Sequence, residues 1–293
     1  MHEFALGWNA WEEAPTRSRV SGLYTAPPDF EEADMPPSFL LAKYHLFPKD
    51  QGPVGTCYAN AGCSAFETQT AAEADHGKSW DAVPLSRQFI SYWATQVMQP
   101  GRNPADGGTI SATFASMADP PEGRGACHES AWPYKPNRQD LARHPDAQAM
   151  DDGGHNRLHQ IADIGWNPET TKRSIAALHV PEIGIEWPEN WTSRGETWNS
   201  RIGQRSGGHA VFLLGWHTDE RGQLWWLIGN SHGSIYPPAQ IEVEGYSGPS
   251  LRYCLFASDD ALGNLMSGDA ECQIAAGMDG FRRTPCWTWD QIA

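Results

Sequence analysis

The chain has 293 residues, of which 40% are hydrophobic and 11% aromatic, so it can build a sizeable core. It carries 36 acidic against 21 basic residues, a formal net charge of −15, which argues against a nucleic-acid partner. No stretch reaches the roughly 20 apolar residues that span a bilayer, so we expect no membrane partner.

Residues 1–33 are predicted to form an extension ahead of the folded domain. They contain the pair Pro27-Pro28 and show no sustained helical period, so we expect them to thread over the surface. The start Met1-His2-Glu3-Phe4 lacks the basic cluster of a secretory signal peptide, and no long apolar run follows it. We therefore expect a cytoplasmic protein, with delivery by a dedicated secretion system or incorporation in a virion left open.

The stretch from Gln51 to Tyr58 places a side-chain amide six residues before a cysteine. Glycine and proline at positions 52–55 break regular structure, and small or apolar residues recur at helical spacing after Tyr58. Cys57 is therefore predicted to begin a buried helix. A helix start favours a thiolate, and the Cys57 N–H with the Gln51 amide would supply donors to an attacked carbonyl.

Helical patterns continue from about residue 57 to about 134, and residues 135–160 are predicted to be a polar surface insertion. Asn167-Pro168-Glu169 is typical of a helix start, with the helix itself over Thr170–Leu178. His155 and His159 have a spacing that can bind zinc on a helix, but we interpret them as solvent-exposed polar residues. We predict no metal site and no cofactor.

Strand patterns dominate the second half of the chain, and helices followed by strands indicate an α+β fold. The predicted strands are 182–186, 210–216, 224–229, 239–243 and 251–257. The turn 218–222 between two of them is polar and ends in glycine, as in a hairpin. Such a hairpin would bring together His209, at the start of one strand, and Asn230, at the end of the next.

Several stretches together resemble the papain (C1-type) family of cysteine peptidases, in the family's order along the chain. They are Gln51–Cys57, Leu85–Ile90 with Asp106-Gly107-Gly108, Ala131–Tyr134, and the segments around His209 and Asn230. The resemblance runs from about Pro36 to about Ala257.

The resemblance implies the α+β, two-lobed papain-like fold for residues 34–257. The helical half would cover about 34–134 and the β half about 180–257, with an active-site cleft between them. It implies a peptidase that acts on peptides or proteins through a thioester acyl-enzyme. Cys57 would be the nucleophile, His209 the base, Asn230 its orienting partner and Gln51 an oxyanion donor. Gly107, Gly108 and Gly208 would bind the substrate backbone.

Some positions depart from the family pattern. Val54 and Ala105 stand where many members have a disulfide, as expected of a protein not built for an oxidising compartment. His232 replaces the tryptophan that shields the histidine–asparagine hydrogen bond, so we expect that bond to be wetter and His209 to be less firmly oriented. Two alternatives stay open: an inactive papain-like docking component of a larger assembly, and a deamidase or transpeptidase that uses the same thioester.

Residues 258–293 are predicted to be a tail beyond the resemblance. The tail contains Trp287 and Trp289, and large aromatics near a chain end indicate docking, either on the protein's own body or on a protein partner. The N-terminal extension is the other candidate segment for partner binding.

Overall fold

The computed structural model describes residues 35–76, 82–98, 100–118, 123–192, 198–233, 253–266 and 272–278. The helices in these ranges are α1 Cys57–Asp75, α2 Arg87–Met98, α3 Ile110–Met117, α4 Arg138–Leu141, α5 Ala147–Gly153, α6 Pro168–Ala176 and α7 Asp259–Leu265. The strands are β1 Ser38–Leu40, β2 Leu158–Asp163, β3 Glu182–Pro188, β4 Trp198–Asn199, β5 Arg205–Thr218, β6 Leu224–Gly229, β7 Cys254–Ser258 and β8 Cys272–Met278. Helices come mostly first and strands later, which confirms the α+β prediction.

The strands form one sheet in the order β2-β8-β3-β5-β6-β7-β4, with β1 paired to β5. All described pairings are antiparallel except that of β4 with β7. The long strand β5 lies near the centre, between β3 and β6, and its middle residues are fully buried. A residue on β5 therefore has a neighbouring strand on each side.

Helix α1 is buried on all sides over its first 13 residues, because small side chains such as Ala61 and Gly62 let α3 and the sheet approach closely. A methyl group at Gly62 would lie 2.5 Å from Thr113 Cγ2 of α3. This burial includes Glu67, whose carboxylate accepts a hydrogen bond from Lys49 Nζ at 2.8 Å and another from the Leu85 N–H at 2.5 Å. Burial raises the pKa of Glu67 to about 7, and the Lys49 charge opposes that rise.

Two local predictions are confirmed. Asn167 caps α6, since its side chain accepts the Thr170 N–H at 3.0 Å and proline follows it at the first helical position. Strands β5 and β6 form the predicted hairpin, in which Asp219 accepts the backbone N–H of Gln223 and Gly222 has a φ of +78°. The hairpin brings the ends of the two strands together.

The prediction that the folded domain ends at Ala257 is wrong for the described residues that follow it. The next residues form α7, and β8 then enters the sheet between β2 and β3, with Cys272 and Ile274 buried. Residues 135–160 contain α4, α5 and the start of β2; many of their side chains are exposed, as predicted for a surface segment, while Leu141 and Ala149 are buried and anchor it to the core. The predicted strand 239–243 lies outside the described residues.

The cysteines at 57, 63, 127, 254 and 272 are all free thiols. Val54 and Ala105 cannot form the disulfide that the resemblance would place there. Instead, the Gly55 N–H donates to the Ala105 carbonyl at 2.9 Å, so a backbone hydrogen bond joins the two loops. Among the residues the structure describes, no helix has both the length and the hydropathy to cross a membrane.

Candidate active site

Cys57 is the first residue of α1, as predicted, and none of its surface is exposed. Its Sγ accepts the backbone N–H of Ala210, on β5, at 3.4 Å. The preceding Thr56 makes no capping hydrogen bond with its side chain, which instead contacts the Tyr134 hydroxyl at 2.5 Å. The sulfur thus lies at the N-terminal end of a buried helix and touches the residue next to His209.

His209 and Asn230 meet as the hairpin predicts. His209 Nε2 lies 2.8 Å from Asn230 Oδ1, and both side chains are buried. Asn230 Oδ1 also accepts the Ser231 N–H at 2.7 Å, which fixes the oxygen toward the imidazole. His209 Nε2 must then carry the proton, and Nδ1 is an acceptor that has no hydrogen-bond partner. Burial lowers the pKa of His209 to about 4, against the opposite effect of the Asn230 hydrogen bond.

Gln51 is held rigidly beside the start of α1. Its side-chain oxygen accepts the Ser231 hydroxyl at 2.7 Å, and its Nε2 donates to the Val54 carbonyl at 2.9 Å. Its backbone N–H donates to the Ser231 carbonyl at 2.8 Å. Because Ser231 also binds Asn230, one residue connects the amide of Gln51 to the histidine–asparagine pair.

Two further residues stabilise the segment that precedes Cys57. The Tyr134 hydroxyl donates to the Gln51 carbonyl at 2.8 Å, and the guanidinium of Arg87 lies 3.9 Å from the Tyr134 ring centre. Arg87 Nη1 also donates to the Asp50 carbonyl and to Asn60 Oδ1, each at 3.0 Å. The stretches containing Arg87 and Tyr134 carried the resemblance in sequence, and the structure gives them a positioning role.

Of the predicted substrate-binding glycines, two lie in the loop before α3 and one lies on β5. Gly107 has a φ of +100°, which favours glycine, and Gly108 packs on Tyr58, the residue after Cys57. A methyl group at Gly108 would lie 2.8 Å from Tyr58 Cε2, so packing alone requires glycine there. Gly208 precedes His209 on β5 and pairs with Glu186 of β3.

His232 lies against His209, where sequence reasoning expected a poor shield. The two imidazole rings are stacked, with centroids 4.1 Å apart and planes 22° from parallel. Asn230 Nδ2 lies 3.4 Å from His232 Nδ1.

Trp187 is a site residue that sequence reasoning missed. Its ring, from β3, meets His209 edge-on at 4.8 Å and His232 at 5.2 Å, and 1% of its surface is exposed. The expectation of a wetter hydrogen bond is therefore wrong, because His209 and Asn230 are almost completely buried. Two signals could have identified Trp187. It directly follows the predicted strand 182–186, and it lies two residues after Ile185, the residue paired with His209, so both side chains point to the same face of the sheet.

Replacing Trp187 by alanine should destabilise the protein by about 3–5 kcal/mol and admit water to the His209–Asn230 bond. We expect kcat/KM for peptide hydrolysis to fall on the order of tenfold in the folded variant. Trp191→Ala is the matched control, because this equally buried ring packs on Trp187 at 5.7 Å and has no ring contact with either imidazole among those described. Urea unfolding and kinetics on both variants separate the two effects; an equal loss of kcat/KM in both would refute a role specific to Trp187.

Among the described residues, no group of three or more histidine, cysteine or acidic side chains is arranged to hold a metal ion. His155 lies in a turn after α5 while His159 lies on β2, so the two do not share a helix face. Trp287, Trp289 and the N-terminal extension, where a protein partner was predicted, lie outside the described residues.

Known proteins that are similar to this chain are cysteine proteases. The family model described as papain family cysteine protease matches residues 43–239. A cathepsin L-like peptidase of Aedes aegypti is 25% identical over 191 residues, covering 64% of this chain and 52% of that protein. Cathepsin K of Gallus gallus is 25% identical over 189 residues, covering 64% and 51%. The chain spans about half the length of these curated relatives.

Solved structures share the fold. Xylellain, a cysteine protease from Xylella fastidiosa, superposes with a TM-score of 0.64 at 19% identity, covering 83% of this chain and 86% of that one. Digestive procathepsin L 3 of Tenebrio molitor superposes with a TM-score of 0.61 at 20% identity, covering 84% and 72%. The two-lobed papain-like fold predicted from sequence is confirmed.

Proposed function

Because the chain belongs to the papain family of cysteine proteases, we propose that it hydrolyses peptide bonds through Cys57, His209 and Asn230. The observation that carries the proposal is the arrangement of the imidazole. His209 is bound at Nε2 by Asn230, its Nδ1 is left as an acceptor, and the next residue along β5 touches Cys57 Sγ. The proposal is supported because Nδ1 keeps the lone pair that a base uses, and because the neighbouring Ala210 places the sulfur close to this histidine.

The first half of the reaction forms a thioester. His209 Nδ1 takes the proton of Cys57, and the resulting thiolate attacks the carbonyl carbon of the scissile peptide bond. Burial disfavours an isolated imidazolium, so the charge on His209 persists only with a thiolate beside it. The imidazolium then gives its proton to the leaving amine, and the acyl group remains on sulfur.

Charge that develops on the attacked oxygen needs fixed donors. We assign this role to the Cys57 backbone N–H at the start of α1 and to the Gln51 amide. Supporting this assignment, Ser231 and the Val54 carbonyl hold that amide in one orientation, so little reorganisation is required during the reaction. In the second half, His209 removes a proton from water, which attacks the thioester and releases the acid.

A second candidate function is supported by one observation. Cys57 and His209 have no exposed surface in this structure, so a substrate reaches the sulfur only after the groups around it move. A papain-like body that never opens would be a structural or docking component instead of an enzyme.

Labelling with an epoxide or vinyl-sulfone probe for papain-like enzymes distinguishes the two. We expect one equivalent of probe on Cys57 under reducing conditions, mapped by peptide mass spectrometry, and none on Cys57→Ala. The thiols of Cys63, Cys254 and Cys272 should stay unlabelled, because burial raises the pKa of each. A folded protein that takes up no probe at Cys57 would support the structural component.

A further inference from the structure

The site contains a second imidazole, that of His232, whose protonation state bears on His209. His232 stacks on His209 at 4.1 Å, while Trp187 closes the edges of both rings. His232 is also within hydrogen-bond distance of Asn230, the residue that orients His209. A tryptophan at this position would have no ionisable ring, so a histidine introduces a titration that the shielding role alone does not require.

The orientation of the Asn230 amide fixes the protonation state of His232. Asn230 Oδ1 accepts two hydrogen bonds, from His209 Nε2 at 2.8 Å and from the Ser231 N–H at 2.7 Å. The amide nitrogen must therefore face His232 Nδ1, 3.4 Å away, and an amide nitrogen can only donate. His232 Nδ1 thus presents its lone pair, and the ring is neutral in this arrangement.

Protonation of His232 would undo this arrangement in two ways. Nδ1 would become a donor that faces the two hydrogens of Asn230 Nδ2, which favours a turn of the amide away from His209. A charged His232 would also repel the His209 imidazolium across a 4.1 Å stack in a buried site, where charge repulsion is strong.

The charges around His232 come from several elements. His209 faces it from β5, beside Cys57 of α1, and Trp187 of β3 carries no charge. Asp50 pairs with His232 through the backbone and places its carboxylate against Gly233, while the adjacent Lys49 is bound to Glu67. Burial and the nearby His209 hold the pKa of His232 well below its usual value.

We propose that His232 is a titratable positioning residue, which orients Asn230 and through it His209 while neutral, and releases both when it is protonated. The proposal rests on the proposed function, since it concerns the histidine of that site. According to this proposal, the histidine that stands in place of tryptophan makes the pair of Cys57 and His209 sensitive to acid. As the pH rises from acid values, two protons would have to leave before the thiolate–imidazolium pair forms. One leaves His232, and the other is shared by Cys57 and His209.

The first test is the pH dependence of kcat/KM and of Cys57 alkylation by iodoacetamide, in the unmodified protein and in His232→Phe. At pH values below the pKa values of both acid-side titrations, we expect both rates to fall on the order of 100-fold per pH unit in the unmodified protein and about tenfold in His232→Phe. His155→Gln, at an exposed histidine, should keep the steep profile. A purely structural role would lower the rates of His232→Phe by one factor at every pH, and an unchanged slope would overturn the proposal.

A second test does not need activity. In Cys57→Ala, nitrogen-15 NMR should show the Asn230 side-chain amide shifting with the same midpoint as the His232 ring, and that shift should vanish in His232→Phe. An amide that does not respond to the His232 titration would overturn the proposal. If Cys57 fails to react at any pH while the coupled NMR titration is present, the proposed function fails and the coupling of His232 to Asn230 stands.

Discussion

Replacing Cys57 by alanine should abolish peptide hydrolysis, with a loss on the order of 10⁵-fold or more in kcat, because the covalent route disappears with the sulfur. The change also removes the acceptor of the Ala210 N–H, so a modest loss of stability is expected. Cys57→Ser keeps an acceptor at this place and should be equally inactive while it recovers stability. Hydrolysis of a peptide library, with unfolding measured in urea, separates the two effects.

Cys63→Ala is the matched control for this experiment. Cys63 lies six residues further along α1 and is just as buried, so its replacement perturbs the same helix without touching the reactive pair. We expect kcat/KM within a fewfold of the unmodified protein. Hydrolysis that persists in Cys57→Ala, or that is lost equally in Cys63→Ala, would remove Cys57 from the role of nucleophile.

Replacing His209 by alanine should reduce kcat/KM by about 10²–10⁴-fold, because both proton transfers lose their carrier. The rate at which iodoacetamide alkylates Cys57 near neutral pH should fall as well, since no imidazolium remains to hold the thiolate. This second readout is independent of substrate. It is measured by mass spectrometry of the Cys57 peptide over time.

His217→Ala is the control for the histidine variant. His217 lies on the same strand β5, and it bonds to the Ser38 hydroxyl at the strand's far end. Its replacement should leave the alkylation rate at Cys57 unchanged. Should His209→Ala alkylate as fast as the His217 variant, His209 would not be the base for Cys57.

Much of the site could be predicted from sequence, because its residues lie at the ends of regular elements. Cys57 follows a glycine-rich break and begins α1, and the polar turn before Gly222 fixes the hairpin that joins His209 to Asn230. These are short-range signals, in which a helix start or a tight turn is specified by neighbouring residues.

The contacts that sequence reasoning missed join elements distant along the chain. Trp187 reaches the imidazoles only because β3 pairs with β5 in a register that sets Ile185 opposite His209. Strand β8 falls in the predicted tail, because its position between β2 and β3 depends on pairing with strands more than 80 residues earlier. No local pattern around Cys272 specifies those partners, so the expected boundary fell too early.

The most direct test is to trap the acyl-enzyme. An activated ester of a short peptide is mixed with the protein, quenched in acid within milliseconds to seconds and analysed by intact and peptide mass spectrometry. We predict a mass increase equal to the acyl group, located on Cys57 and absent from Cys57→Ala. Release of the leaving group with no acyl group on the protein, or with the acyl group on another residue, would contradict the mechanism.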